Sequence, residues 1–179
     1  MLNARGTAFV GSALWLPPAV LRELREQVRR GMHTASFGAD AFRRSVRISG
    51  ERLLDPTPPR AVNVFGEGTS VLRTSAAPLE VLQEGLGLFD DLTDLFGNFT
   101  VFEPSRGTPG GTELLAAAGR PDPESGEDVP AFVVYRIGRG IAIRSGTPQW
   151  ARELDERRLS LEVPAVTRRI WRLLARGAE

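Results

Sequence analysis

The spacing of apolar residues changes along the first part of the chain. Residues 7–10 form a short apolar run, which is typical of a buried strand. Over residues 17–30 apolar side chains recur every three or four positions between charged ones, which indicates an amphipathic helix. Pro18 suits the first turn of this helix and Gly31 suits its end. A second strand is predicted within residues 32–38, so the segment predicts a βαβ unit with parallel strands.

The same opening segment, residues 7–24, has a second interpretation as a secretory signal peptide. Arg5 and the apolar stretch over residues 8–16 fit the first two parts of such a peptide. However, Pro17 and Pro18 and then charged amphipathic sequence follow where a small-residue cleavage site belongs. We therefore expect the first strand and helix of a folded domain, and a cytoplasmic chain.

The middle of the chain is less regular. Residues 46–54 alternate around a Ser-Gly pair, which predicts a hairpin. Residues 79–82 follow a proline and predict a short helix. Residues 99–104 predict a strand, residues 112–119 fit either a strand or a short helix, and the polar residues 119–130 predict a loop.

The last third of the chain has the clearest β pattern. Two strongly apolar runs, residues 131–137 and 141–145, are separated by Gly-Arg-Gly, which predicts an antiparallel hairpin. Thr147 as N-cap and Pro148 as the first helical residue predict a helix after the hairpin. Pro164 opens a final helix with one apolar stripe. Together the elements predict a mixed, mostly parallel α/β sheet flanked by helices.

Length and charge restrict the possible partners. The chain has 179 residues, which fits a single domain over residues 1–179. Its net charge is +1, so no overall field attracts nucleic acid or an acidic membrane surface. No apolar run reaches the ~18 residues of a membrane span. We expect neither a nucleic-acid nor a membrane partner.

The residue types that are missing restrict the chemistry. The chain has no cysteine and no lysine, because all 23 basic residues are arginine, and His33 is its one histidine. Thiolate metal sites, cysteine nucleophiles, Schiff-base lysines and sites with several histidines are therefore excluded within one chain. His33 is expected to be structural. We predict no catalytic residue, no metal site and no cofactor.

A candidate ligand site lies at the corner formed by residues 36–40, Ser-Phe-Gly-Ala-Asp. α/β folds bind ligands at the carboxyl ends of their strands, where this corner falls. Ser36 is a candidate nucleophile, although no G-x-S-x-G elbow surrounds it, and Asp40 is either a base or a helix cap. Trp150 either stacks on a ligand or pins a turn. The candidate ligand-binding residues are Ser12, Ser36, Asp40, Thr147, Gln149 and Trp150.

Two charged regions are predicted to be solvated. The acidic residues between positions 84 and 103 are of the type that binds a hard cation, but they lack the spacing of a calcium-binding loop. The arginines of the final helix are interspersed with nearby acidic residues, which cancel much of their field.

Two segments carry a family resemblance: residues 15–48 and residues 135–174. In the first, a helix ends in an Arg-Gly-type turn and a strand leads to a small-residue corner. In the second, Gly-Arg-Gly at 138–140 is followed by Gly-Thr at 146–147, by Trp150, and by a helix that begins Pro-Ala-Val-Thr-Arg-Arg. These motifs resemble the class I glutamine-amidotransferase-like domain at the C-terminus of the N,N-dimethylformamidase large (beta) subunit and its relatives.

The resemblance implies an amidotransferase-like, flavodoxin-like fold, but with departures. Active amidotransferases carry a cysteine at the corner and a later histidine, and this chain has neither, so classical glutamine hydrolysis is excluded. The family's domains also have further strand–helix units before the matched segment. The chain is therefore N-terminally short relative to them, and a homo-oligomer or a partner subunit is expected to complete the sheet.

These observations lead to one expected function and its alternatives. We expect a non-catalytic accessory α/β domain for ligand binding or subunit interaction. The alternatives are a hydrolase of C–N amide bonds related to N,N-dimethylformamidase, which requires a metal or an activated serine, and a fragment of a larger enzyme.

Overall fold

The computed structural model describes residues 4–74, 78–92, 95–107, 110, 112–122, 125–155 and 161–177. In chain order the described elements are β1 (Gly6–Val10), β2 (Trp15–Leu16), α1 (Pro18–Arg30), β3 (His33–Phe37), β4 (Arg44–Ser45), β5 (Arg47–Ser49), β6 (Arg52–Leu54), β7 (Arg73–Thr74), β8 (Leu79–Gln83), β9 (Leu95–Phe96), β10 (Val101–Phe102), β11 (Glu113–Pro121), β12 (Asp128–Ile137), β13 (Gly140–Arg144), a 3-10 helix (Trp150–Leu154) and α2 (Glu162–Arg176). No helix among these residues is long and apolar enough to cross a membrane.

Within this described part, seven strands form one mixed sheet in the order β1-β3-β13-β12-β11-β8-β9. β1 and β13 lie on either side of β3 and run parallel to it, whereas the other four neighbouring pairs are antiparallel. The mixed α/β class is confirmed, but the prediction of a mostly parallel sheet is wrong. β11, β12 and β13 follow one another through short turns, and short turns join only antiparallel neighbours.

The βαβ unit at the start of the sheet forms as its pattern predicts. β1 and β3 pair in parallel, with Gly6 opposite His33. α1 connects them and buries Leu21, Leu24 and Val28 against the sheet. It ends at Gly31, whose φ of 126° belongs to the region that favours glycine. The helical spacing and the proline and glycine at the two ends were therefore sufficient to locate this unit.

The two helices cover opposite faces of the sheet. Side chains alternate between these faces along each strand, so neighbouring residues contact different helices. On β12, Phe132 and Val134 point towards α2, and Val133 and Tyr135 point towards α1. We call these the α2 face and the α1 face. Each face carries its own apolar cluster, so the central strands are buried on both sides.

Several local predictions need correction. The predicted helix at 79–82 is the strand β8, which pairs with β11 and β9. The predicted loop at 119–130 is shorter, because β11 extends to Pro121 and β12 begins at Asp128. For β8, pairing with the distant strand β11 outweighs the local signal, and at 119–130 the hairpin pairing of β11 with β12 does so.

Other segments differ in extent or type. Of the predicted strand at 99–104, only Val101 and Phe102 form β10. Residues 112–119 were left open between strand and helix, and all of them except Thr112 belong to strand β11. The helix predicted after Thr147 is a 3-10 helix that begins at Trp150 with Gln149 as its N-cap.

Candidate functional site

The corner after β3 is closed by the chain's own side chains. Its three successive backbone N–H groups each donate to a side-chain oxygen. The bonds run from Gly38 to Ser145 Oγ at 3.1 Å, from Ala39 to Ser12 Oγ at 3.0 Å and from Asp40 to Glu103 Oε2 at 2.9 Å. Consecutive N–H groups of this kind form anion-binding sites in other folds. Here Glu103 supplies the anion, so the corner has no free donor for a ligand.

Glu103 is the acceptor that links the corner to the rest of the α1 face. It is 2 % exposed, so the prediction of solvated acids between positions 84 and 103 is wrong for this residue. Its Oε1 accepts from Arg43 Nη1 at 2.9 Å and from Thr69 Oγ1 at 3.1 Å. These bonds, together with the Asp40 N–H, satisfy the carboxylate and allow its burial.

Arg144, the last residue of β13, is the centre of a buried ion-pair network. Its guanidinium lies 2.6 Å from Glu67 Oε1 through Nη2 and 3.3 Å from Glu103 Oε2 through Nη1. Burial alone would lower the pKa of Arg144, but the carboxylates of Glu67 and Glu103 outweigh it and hold the pKa above its ordinary value. The guanidinium therefore stays charged and bridges the two carboxylates.

The second carboxylate, Glu67, is held by a short loop. Asn63 Nδ2 donates to Glu67 Oε2 at 2.9 Å, and Asn63 Oδ1 accepts from the backbone N–H groups of Phe65 and Glu67. Tyr135 lies nearby and its hydroxyl is 3.0 Å from Ser105 Oγ. Burial, and then the Glu67 carboxylate, raise the pKa of Tyr135 well above its ordinary value, so the phenol stays protonated.

Ser36 and Asp40, the two candidate corner residues, are both engaged within the fold. Ser36 Oγ lies 3.4 Å from the Ile143 carbonyl and is buried. The cavity beside it, lined also by Glu67 and Arg144, has a volume of about 10 Å³, which is room for about one water molecule. The Asp40 carboxylate pairs with Arg43 and Arg44. The side chains of Ser36 and Asp40 therefore contribute to the structure of the corner through bonds within the protein.

Thr147 and Gln149 connect the end of the sheet to β10. Thr147 Oγ1 donates to the Val101 carbonyl at 2.8 Å and accepts from the Gln149 N–H at 3.2 Å. Gln149 Oε1 accepts from the N–H groups of Thr100 and Val101 at 2.6 and 3.1 Å. Both side chains thus bond to backbone atoms of the same neighbouring segment.

Trp150 lies inside the α2-face cluster, with an exposed fraction of 1 %. Its ring stacks between Phe99 and Phe132, with both ring centroids 5.6 Å away, and its Nε1 donates to Thr167 Oγ1 at 3.0 Å. Both ring faces and the indole N–H are therefore in use within the protein. These contacts correspond to the second of the two roles considered for Trp150, that of pinning the turn.

The structure thus groups Ser12, Ser36 and Asp40 at the corner and places Thr147, Gln149 and Trp150 towards β10 and α2. The residues that sequence reasoning missed are Ser145, Glu67 and Arg144, and the acceptor role of Glu103. One signal was available, because Arg144 ends an apolar strand and a buried arginine requires a carboxylate. Nothing in the spacing shows which carboxylate that is.

The fold and corner define a mixed α/β domain with a closed, charge-neutral corner. Among the residues that the structure describes, no group of three or more histidine, aspartate or glutamate side chains is arranged to hold a metal ion. No protein-family model matches the chain, and no curated protein sequence matches it.

Proposed function

We propose that this chain is a non-catalytic accessory α/β domain that pairs with a second copy of itself through β1, one of the two edge strands of its sheet. The observation that carries the proposal is the open hydrogen-bonding edge of this strand. β1 is the first strand in the sheet order, and no strand in the described part of the chain lies on its outer side.

The backbone directions on β1 follow from its two ends. The Arg5 carbonyl accepts from the His33 N–H, and the Gly11 N–H donates to the Phe37 carbonyl, both at 3.0 Å. Backbone groups alternate in direction along a strand, so odd-numbered residues face β3. The N–H and C=O groups of Gly6, Ala8 and Val10 therefore point outwards. An edge of this kind is a template for another strand.

Apolar side chains lie beside this edge. Val10, at the end of β1, is 63 % exposed and is paired with Phe37. The Trp171 ring of α2 is 6.4 Å from the Phe37 ring and is 49 % exposed. Aromatic and aliphatic groups next to an open edge are typical of protein interfaces. Twofold symmetry would bring this surface onto itself, with the two β1 strands antiparallel.

The closed corner supports the non-catalytic part of the proposal. Its N–H groups bond to Ser145, Ser12 and Glu103, and the chain has no cysteine to act as the amidotransferase nucleophile. We also propose that the parallel half of the sheet, β1, α1, β3 and β13, corresponds to part of an amidotransferase-like domain. The support is the strand that leads into a small-residue corner, and the second copy would extend the sheet where such domains have further strands.

The test is native mass spectrometry with a matched pair of variants. The Ala8 N–H points away from β3, so Ala8→Pro removes a donor of the edge and none of the β1–β3 bonds. Ala8→Ser retains that donor and is the control. We expect a dimer for the wild type and for Ala8→Ser, and at least about tenfold weaker dimerisation for Ala8→Pro, since every 1.4 kcal/mol is tenfold.

Circular dichroism must show the same fold for both variants. A wild-type mass of one chain at all concentrations contradicts the proposal. A dimer whose stability Ala8→Pro leaves unchanged also contradicts the proposal, because the outer edge of β1 would then not form the interface.

A further inference from the structure

A groove on the α1 face is lined by arginines and by apolar side chains. It lies between α1 and residues 60–66 and has a volume of about 420 Å³, within the range of small-molecule sites. Arg22, Arg25 and Arg60 line it. Leu21, Phe42 and Val62 line it as well, and of these Val62 is 47 % exposed whereas Leu21 and Phe42 are buried. None of the residues that line the groove is acidic.

The three groove arginines differ from the buried ones in their partners. Arg22, Arg25 and Arg60 form no ion pair with an acidic residue in the described part of the chain. Arg43 also lines the groove, but Glu103 and Asp40 neutralise it. The groove therefore has a local excess of positive charge in a protein whose net charge is only +1.

The backbone holds these arginines near one another. Arg22 and Arg25 are three residues apart on α1, which places them on one side of the helix. Arg60 is fixed by two bonds to Arg43, in which its carbonyl accepts from Arg43 Nε at 2.7 Å and its N–H donates to the Arg43 carbonyl at 3.0 Å. The site is thus built on a helix and a tethered loop.

The start of α1 adds to the positive potential. Pro17 is the N-cap and makes no side-chain hydrogen bond, and the first turn has no acidic residue. The positive end of the helix dipole is therefore not offset by a carboxylate. Pro18, the first residue of α1, itself lines the groove.

We infer that this groove binds a phosphate monoester with an apolar organic group. Guanidinium groups bind phosphate through pairs of charge-assisted hydrogen bonds. A dianionic phosphate offsets the charge of three arginines better than a single carboxylate does. The organic group contacts the apolar lining, of which Val62 is the exposed part. No residue of β1 lines the groove, so the inference does not depend on the dimer.

Phenyl phosphate is the probe, with inorganic phosphate and phenol as separate arms, measured by isothermal titration calorimetry at low ionic strength. We expect saturable binding of phenyl phosphate at one site per chain, weakened by added salt. Inorganic phosphate is expected to bind more weakly, and phenol not measurably. Equal affinity for phenyl phosphate and inorganic phosphate would show that the apolar lining of the groove does not contribute to binding, and would overturn that part of the inference.

Two triple variants remove the same charge from different places. The groove variant is Arg22→Gln, Arg25→Gln and Arg60→Gln. The control variant is Arg139→Gln, Arg168→Gln and Arg172→Gln, all three exposed and outside the groove. We expect the groove variant to lose at least about tenfold in affinity and the control variant less than about twofold.

Equal losses in the two variants, or no saturable binding by the wild type up to millimolar concentration, overturn the inference. Because every substituted arginine except Arg60 lies on a helix or turn surface and all are exposed, both variants are expected to melt cooperatively. Arg22→Gln alone retains two groove arginines and is expected to give an intermediate loss.

Discussion

Arg144 and Arg22 lie on the same face of the sheet, but they have different surroundings. The Arg144 side chain is 4 % exposed and pairs with both Glu67 and Glu103. Arg22 is exposed on α1 and has no acidic partner in the described part of the chain. A buried charge requires a partner, whereas water solvates an exposed one. The buried charges are therefore paired with each other inside the protein, whereas the groove arginines remain available to bind a ligand.

The largest test of this contrast removes the central buried cation. Arg144→Met leaves the Glu67 and Glu103 carboxylates buried without their shared partner. We expect the free energy of unfolding to fall by about 3–5 kcal/mol, as measured by urea denaturation. Arg22→Gln, the groove control, is expected to change it by less than about 0.5 kcal/mol.

A loss below about 1 kcal/mol for Arg144→Met would show that the network contributes no more than a surface ion pair. Adding Glu67→Gln to Arg144→Met is expected to recover part of the loss. Glu67 is the carboxylate that Arg144→Met leaves without a cation, whereas Glu103 keeps its ion pair with Arg43.

A smaller effect is expected at the corner. Ser145→Ala leaves the buried Gly38 N–H without its acceptor, which should cost about 1–3 kcal/mol in urea denaturation. Ser12→Ala is the matched change, because Ser12 caps the Ala39 N–H but is itself exposed. Water replaces that oxygen more easily, so we expect a loss under about 1 kcal/mol. An equal or larger loss for Ser12→Ala would show that burial does not distinguish the two caps.

The smallest expected effect concerns His33. This titratable residue is buried and forms no ion pair with a carboxylate in the described part of the chain. Burial lowers the pKa of His33 below its ordinary value of 6.5, the backbone hydrogen bond with Met32 offsets part of this, and Arg136 lowers it further. The unfolded chain therefore binds the proton more readily than the folded one. The free energy of unfolding should therefore keep the full contribution of neutral His33 above pH 6.5 and fall as the pH drops below that value.

Because His33 is the chain's one histidine, an NMR titration reports its pKa without overlap. We expect a midpoint below 6.5, and a weaker dependence of stability on pH in this range for His33→Asn. A midpoint above 6.5 would reveal a stabilising partner for the imidazolium.

The fold was predictable where the signal is local. Helical spacing over α1, with Pro18 and Gly31 at its ends, located the βαβ unit to within about a residue. β8 was misread as a helix, because a short stretch with apolar Leu79, Val81 and Leu82 after a proline fits either state. Its pairing with β11 is distant in the chain. The antiparallel majority was missed because β8 was taken for a helix and residues 112–119 were left open between strand and helix.

The candidate site was less predictable than the fold. The corner itself was located, since a strand end followed by small residues is a local feature. The network around it was missed, because Glu67, Glu103 and Arg144 come from three separate segments and meet only when the sheet has formed. Charge pairing of this kind depends on tertiary structure, and the spacing of single residues does not encode it.

The parallel pairing of β3 with β13 has a consequence for biosynthesis. Ala142 lies opposite Thr34 in this pair, and the bond from Gly38 to Ser145 spans 107 residues. When β3 leaves the ribosome, β13, the strand that pairs with it towards the middle of the sheet, has not yet been translated. Closing so long a loop is slow, and an unpaired strand invites wrong pairing in the meantime. The β1–α1–β3 unit is therefore open to wrong pairing from its synthesis until β13 emerges.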